Sequence, residues 1–549
     1  MDASEGSDPR FESFLEGRKA KVITGIEETI DNITFSGKFC SGNLSKVQKM
    51  NNGEFRLWTS LDCADSDFET TYSTWFYFSV KAPKGTLVRM NIANLNKQLN
   101  LYKHHDYRVI YKVEPQIKQW QRMPEPATFK ATKENLQLKF RYRFEDKEVA
   151  FFAFCFPMSY EDVQNRLCVL DRLYMNPGST EPTAAAVADD LYYHRELLCR
   201  SLDGNRVDLV TLSGRNGLLE EQEEFWDSSS GSHVLFPNRD REPRPFKFPS
   251  WKRVVVITAR VHPGETPGQW ALEGALRFLL GRDPRARELR RRFVWKFVPI
   301  LNPDGVCRGH YRADTRGVNL NRVYDTPCPN FHPTIFATKT LLVAAAAEER
   351  LALYLDLHAH ATKRGCFLLG NYTGDDDKQV ANLLWARLLA ARCPSVEWGA
   401  CCFSAKSMAS KDSKGTCKQG SGRVAIYLAT NKHPHCYTLE CNYNRGKENP
   451  RAYTRESFQE VGRSAALALL DLAGASELAD WGPSQAAAAA PAASSPPGVG
   501  ESNDDEAEAR EEHMMTELSW AMDAASEAFQ DADVERLRVE LRAAWAWRG

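Results

Sequence analysis

Two polar side chains follow a strongly apolar run: Val254, Val255, Val256 and Ile257 lead, after a short link, to His262 and Glu265. An imidazole and a carboxylate at this spacing make half of a metal site, and the carboxyl ends of buried strands are where open α/β sheets keep their ligands. Pro263, Gly264 and Pro267 oppose helix across the pair, so the half-site is expected on a loop and not on a helical His-Glu-x-x-His. A hydrolytic metal site needs a third protein ligand and one position left for water. His358, in Asp356-Leu-His-Ala-His360, offers that ligand at the end of a second apolar strand, Leu353 to Leu357. Either stretch alone reads as a polar turn or a satisfied histidine; together they point to a metal.

Other residues suggest what such a metal would act on. Glu440 ends the apolar strand Cys436-Tyr-Thr-Leu439, where an acid is costly unless paired, wet or catalytic. Arg308, Arg312, Arg316 and Arg322 crowd a stretch with no regular period after the strand Phe293 to Ile300, and guanidinium groups clamp carboxylates through two parallel bonds. Between Phe403 and His435 the charged residues are Lys406, Lys411, Asp412, Lys414, Lys418, Arg423 and Lys432. One acid among six bases, in a chain otherwise balanced, fits an acidic substrate.

The elements that must position these groups divide the chain. Residues 1–30 read as a charged, flexible leader. Residues 31–158 show period-two alternation, as in Leu136, Leu138, Phe140, Tyr142 and Phe144, and predict an antiparallel β-sandwich. Its exposed basic and aromatic residues read as an ordinary solvated face, with no catalytic cluster. From 159 to 475, strands alternate with amphipathic helices. Helices are expected at Tyr160 to Tyr174, through Trp270 to Leu279, near Thr338 to Arg350, Ala381 to Leu389 and Ser457 to Leu472. Strands are expected at Val207 to Leu212, Val254 to Thr258, Phe293 to Ile300, Leu353 to Leu357, Cys366 to Leu369, Val424 to Leu428 and Cys436 to Leu439. The predicted class is α/β: a mixed, largely parallel sheet flanked by helices, preceded by the sandwich. Pro177 to Ala186 and Ser228 to Pro249 read as loops. From 476 to 549 the composition falls to Ala, Pro, Ser, Asp and Glu, a low-complexity tail with helical potential at Met514 to Trp547.

Composition excludes several classes. With 71 basic and 72 acidic residues there is no general pull toward nucleic acid or membrane, and neither is an expected partner. No apolar stretch approaches the roughly 20 residues that span a bilayer, and the amino terminus lacks a secretory pattern. The 14 cysteines have no disulfide spacing, which fits a reducing compartment.

His262-Pro-Gly-Glu265, Asn302-Pro-Asp-Gly305, Asn319-Leu-Asn-Arg322, Asp356-Leu-His358 and Tyr437-Thr-Leu-Glu440 occur in the order seen in zinc metallocarboxypeptidases. The sandwich, with Ser41-Gly-Asn43 and Trp75-Phe-Tyr-Phe78, resembles the extra domain of the cytosolic carboxypeptidases that trim glutamate from tubulin. The resemblance covers about residues 35 to 475. It implies one Zn²⁺ on His262, Glu265 and His358, with Glu440 as general base and acid. It further implies that Arg312 stabilises the oxyanion and that Asn321 and Arg322 hold the terminal carboxylate. Tyr427 is the candidate for the tyrosine that closes over substrate, and Arg423 for reading an acidic side chain.

The activity so implied is removal of C-terminal or branch-point glutamates from polyglutamylated tubulin and other proteins with glutamate chains or acidic tails. The implied location is cytoplasmic, with cytoskeletal association and nuclear entry left open. Two rival readings are a zinc amidohydrolase of N-acyl amino acids, which shares the His-x-x-Glu pair, and a catalytically inactive microtubule-binding adaptor.

Overall fold

The structure is a computed structural model. It describes residues 25–104, 106–146, 148–175, 190–224, 235–236, 243–411, 415–447 and 452–474, together with Val539. The loop expected at Pro177 to Ala186, most of Ser228 to Pro249, and the tail apart from Val539 lie outside the described residues, as does the leader before residue 25.

The amino-terminal domain packs two sheets face to face. One has six strands in the order Glu27–Ile30, Ile33–Ser36, Tyr77–Lys81, Val149–Ala153, Ile110–Glu114, Ile117–Arg122. The other has five, Lys46–Lys49, Glu54–Trp58, Leu87–Leu95, Leu136–Arg143, Thr128–Ala131. Pairing is antiparallel except between Glu54–Trp58 and Leu87–Leu95, which run parallel. Alternation turns Phe35, Phe78, Val80, Phe152, Val88, Met90 and Leu138 into a shared, fully buried core. The first hairpin reaches into the stretch read as leader. Asp31 and Asn32, at φ 52° and 64°, form its turn, and both residue types tolerate this left-handed backbone.

The second domain holds a seven-stranded sheet in the order Leu191–Arg200, Arg206–Gly214, Phe293–Val298, Arg253–Ala259, Leu351–His360, Cys436–Asn442, Cys366–Leu369. The four strands from Phe293–Val298 to Cys436–Asn442 are parallel, and the outer pairings are antiparallel. Both faces are covered, which is why the central strands are apolar without alternation. Val255, Ile257, Leu353 and Leu355 pack against the helices Thr266–Leu280, Asp376–Arg392 and Arg455–Gly474. Val254, Val256 and Tyr354 pack toward Pro333–Ala347 and Gly422–Ala429.

Val424 to Leu428, expected as a strand, lies inside the helix Gly422–Ala429. Its short apolar run is buried as a helix would be, and the neighbouring strand Cys436–Asn442 has no edge to offer, being paired on both sides. Leu191–Arg200 is a strand that alternation did not mark, because its Arg195 and Glu196 are buried in ion pairs with Asp208 and Arg244. The stretch after Asn302 carries a short helix, Pro303–Arg308, and a 3₁₀ turn, Leu320–Arg322. Among the described residues no helix is long and apolar enough to cross a membrane, and all 14 cysteines are free.

Candidate active site

The strand Arg253–Ala259 ends where Arg260 adopts φ 59°, a strained turn for a long side chain. Its buried guanidinium donates to the carbonyls of Pro263 and Met158, both at 2.8 Å, and so holds the turn that follows. That turn carries His262 and delivers Glu265 to the cap position of the helix Thr266–Leu280. The pair is loop-borne, as expected. Pro267 nevertheless belongs to the helix, in the first turn where no N–H is needed. Gly268 lets this helix touch the strand Leu351–His360, since a Cβ would stand 2.6 Å from the Leu357 carbonyl oxygen.

His358 projects from that strand. One donor atom each from His262, Glu265 and His358 falls within 4.8 Å of the other two, and all three residues are buried. The Nε2–H of His262 donates to Asn319 Oδ1 at 2.9 Å, and that of His358 to Asp356 Oδ2 at 2.8 Å. Each ring thus turns the lone pair of Nδ1 toward Glu265, at 2.8 Å from Oε1 and from Oε2. Two lone pairs this close to a carboxylate require positive charge between them. A proton on His262 serves poorly, because burial and then Arg312 push its imidazole down to about 4, whereas against burial Asp356 and then Glu265 hold the His358 imidazole well above its ordinary value. Burial alone would raise the Glu265 carboxyl, yet the two imidazoles hold it well below its ordinary value. The donor set and its outer hydrogen bonds fit a zinc ion.

Glu440 stands beside His358 in parallel register. Burial, opposed by His358 and reinforced by Glu265, pushes its carboxyl up to about 7, and among the described residues its Oε2 has no hydrogen-bond partner. Both carboxylates border a cleft of about 660 Å³. Arg312 lines it with Nη1 at 3.5 Å from Glu265 Oε1. Asn321 and Arg322 line it from the 3₁₀ turn. The Asn321 Oδ1 accepts the Gly422 N–H at 2.9 Å, which turns its amide nitrogen toward His358. Arg423 reaches the cleft from the helix Gly422–Ala429, bonded to the Gly370 carbonyl and, at 3.1 Å, to Asn371 Oδ1. Of the basic strip, Lys411 and Lys418 also line the cleft, while Asp412 and Lys414 lie outside the described residues.

Tyr427 does not belong here. Its hydroxyl donates to the carbonyls of Tyr372 and Thr373 at 3.3 and 3.4 Å, and the side chain is buried away from the cleft. Sequence reasoning missed the contribution of the amino-terminal domain, whose Lys97, Gln98, Leu99 and Asn100 form part of the wall. Nothing in their spacing marks them; only the domain packing brings them in.

A model of the zinc carboxypeptidases matches residues 194–360, the segment that holds all three donors. A model of the cytosolic carboxypeptidase amino-terminal domain matches 35–154. A rat protein, "Cytosolic carboxypeptidase-like protein 5" of Rattus norvegicus, is 35% identical over 82% of this chain and 69% of its own length. The chain belongs to the zinc carboxypeptidase family. Within it, the Danio rerio protein of the same name is 34% identical over 82% of this chain. This chain spans 65% of that protein, just under two thirds. Its fold is shared with a metallo-carboxypeptidase from Burkholderia cenocepacia at a TM-score of 0.58 and 18% identity, covering 80% of this chain and 98% of the other.

Proposed function

We propose that this chain is a zinc-dependent carboxypeptidase that removes C-terminal or branch-point glutamates from polyglutamylated proteins such as tubulin. The observation that carries the reading is the meeting of His262, Glu265 and His358 beside Glu440, in a cleft whose other charged groups, among the described residues, are Arg312, Arg322, Arg423, Lys97, Lys411 and Lys418. A zinc ion held by the three donors supplies a Lewis acid that polarises a carbonyl and acidifies water.

The protein's own groups do the rest. Glu440, its affinity for a proton raised by burial, accepts the proton of the attacking water and returns it to the leaving amine. Arg312 meets the negative charge that develops on the carbonyl oxygen. Asn321 and Arg322 bind a free α-carboxylate, which restricts cleavage to the last residue. Arg423 with the cleft lysines favours a terminal side chain that is itself acidic. For an adaptor without chemistry, a carboxylate whose Oε2 is buried without a partner beside a metal-donor set would be pure penalty.

The test is glutamate release from polyglutamylated tubulin by the zinc-loaded chain, with and without a chelator, alongside N-acyl amino acids as competing substrates. Chelator-sensitive release of glutamate is expected. Turnover of the acyl amino acids alone would replace the reading with the amidohydrolase.

A further inference from the structure

The arm that carries Arg312 is moulded on the other domain. Asp62, 1% exposed in a loop of the amino-terminal domain, accepts three successive main-chain N–H groups. Its Oδ1 takes Tyr311 N–H at 2.6 Å, and its Oδ2 takes Arg312 N–H at 2.7 Å and Ala313 N–H at 2.8 Å. The same loop supplies Cys63, whose N–H donates to His310 Nε2 at 3.3 Å and whose thiol donates to the Asp314 carbonyl at 3.0 Å. At the two ends of the arm, Gly309 and Gly317 have φ 68° and 70°, and a Cβ on either would stand 2.5 Å from a carbonyl oxygen of that domain, of Gly42 and of Phe68. The ring of Tyr72 lies 6.0 Å from the Arg312 guanidinium.

A carboxylate this buried persists only where donors compensate its lost hydration. Docking two domains needs no such group; apolar contact would serve. Here the donors are the amides on and beside the residue whose side chain faces Glu265. We propose that Asp62 is a positioning residue: by gripping the main chain of 311–313 it fixes where the Arg312 guanidinium stands, and so makes the amino-terminal domain a working part of the catalytic centre. The proposal rests on the role given above to Arg312.

The test uses the full zinc-loaded chain, with Asp62→Asn compared in the wild type and in Arg312→Ala. Asn presents an amide N–H₂ where an oxygen accepted, so at least one grip is lost. Asp62→Asn should lower kcat on the order of 100-fold with KM little changed, as expected for a displaced catalytic group. In the Arg312→Ala background it should change kcat by less than about twofold. Equal losses in both backgrounds would overturn the proposal. Hydrogen exchange reads the grip without turnover. Amides 311–313 should exchange slowly in the wild type and rapidly in Asp62→Asn, while the strand Cys436–Asn442 stays protected. Fast exchange in the wild type, or no change in the variant, overturns the proposal even if the chain proves to have another substrate. Should Asp62→Asn not accumulate, Gly317→Ala displaces the same arm at its far end. Its loss must likewise vanish in Arg312→Ala, and an undiminished loss decides against the assignment.

Discussion

His358 and Asp356 stand two residues apart on one strand, and the imidazole Nε2–H of the first donates to the carboxylate of the second at 2.8 Å. Asp356 is fully buried and is itself held by the Thr258 hydroxyl at 2.7 Å. The bond sets the tautomer that leaves Nδ1 free to ligate. Asp356→Ala should therefore weaken zinc binding by about 10- to 100-fold. Competition against a chromogenic chelator measures it, and unchanged affinity would remove Asp356 from the site.

Glu440→Gln should keep zinc and lose glutamate release. In the metal-free protein it should also change the pH dependence of stability. The Glu440 carboxyl is raised to about 7 by burial, so between its unfolded value and 7 the native state binds more protons than the unfolded one. Stability then falls as pH rises through that window. Glutamine escapes this loss, and melting at pH 8 should show a gain on the order of 3 kcal/mol that fades below about pH 5. A gain that is the same at pH 8 and pH 5 would mean that the Glu440 carboxyl titrates at its ordinary value in the native state.

Arg423→Ala should reduce kcat/KM for glutamate-ended peptides by about 10-fold or more relative to leucine-ended ones, the range of a charge-assisted hydrogen bond. Because Arg423 is buried and bonded to Asn371, both substrates will suffer somewhat. Equal losses would refute a role in specificity.

The helix that begins after Glu265 crosses the helix Arg455–Gly474 through glycines. A Cβ on Gly462 would lie 1.7 Å from the Ala271 carbonyl oxygen, and one on Gly274 1.9 Å from that of Gln459. Gly462→Ala should destabilise by about 3 kcal/mol, the upper range for overpacking, read as a lower denaturant midpoint. Because this crossing supports the helix capped by Glu265, zinc affinity should fall with it.

The seven-stranded sheet was legible because its central strands are buried on both faces and so stand out as apolar runs ending in or just before His262, His358 and Glu440. Periodicity could not separate a buried helix turn from a strand at Val424 to Leu428. The choice there was made by strand edges already taken. It also could not reveal Leu191–Arg200, where partners distant in sequence neutralise the charges.

In the site, residue types told more than local pattern. Arg322 and Asn321 were visible as a pair beside the cleft, while Tyr427 had the right chemistry and the wrong direction. Asp62 was illegible for a different reason. Its partners are main-chain N–H groups about 250 residues away, and an acid that binds backbone leaves no matching letter in the sequence.

Arg122, at the end of the strand Ile117–Arg122, donates to the carbonyls of Tyr443 and Tyr453 and to the Asn444 side chain, at 2.9, 2.9 and 2.8 Å. Tyr443 follows directly on the strand that bears Glu440, so the sandwich also grips the protein just past the proposed general base. Excising either half would strip a guanidinium or three acceptors of their counterparts. The two halves should consequently melt in a single endotherm, and the isolated carboxyl-terminal half should emerge from expression as insoluble material rather than as a smaller folded protein.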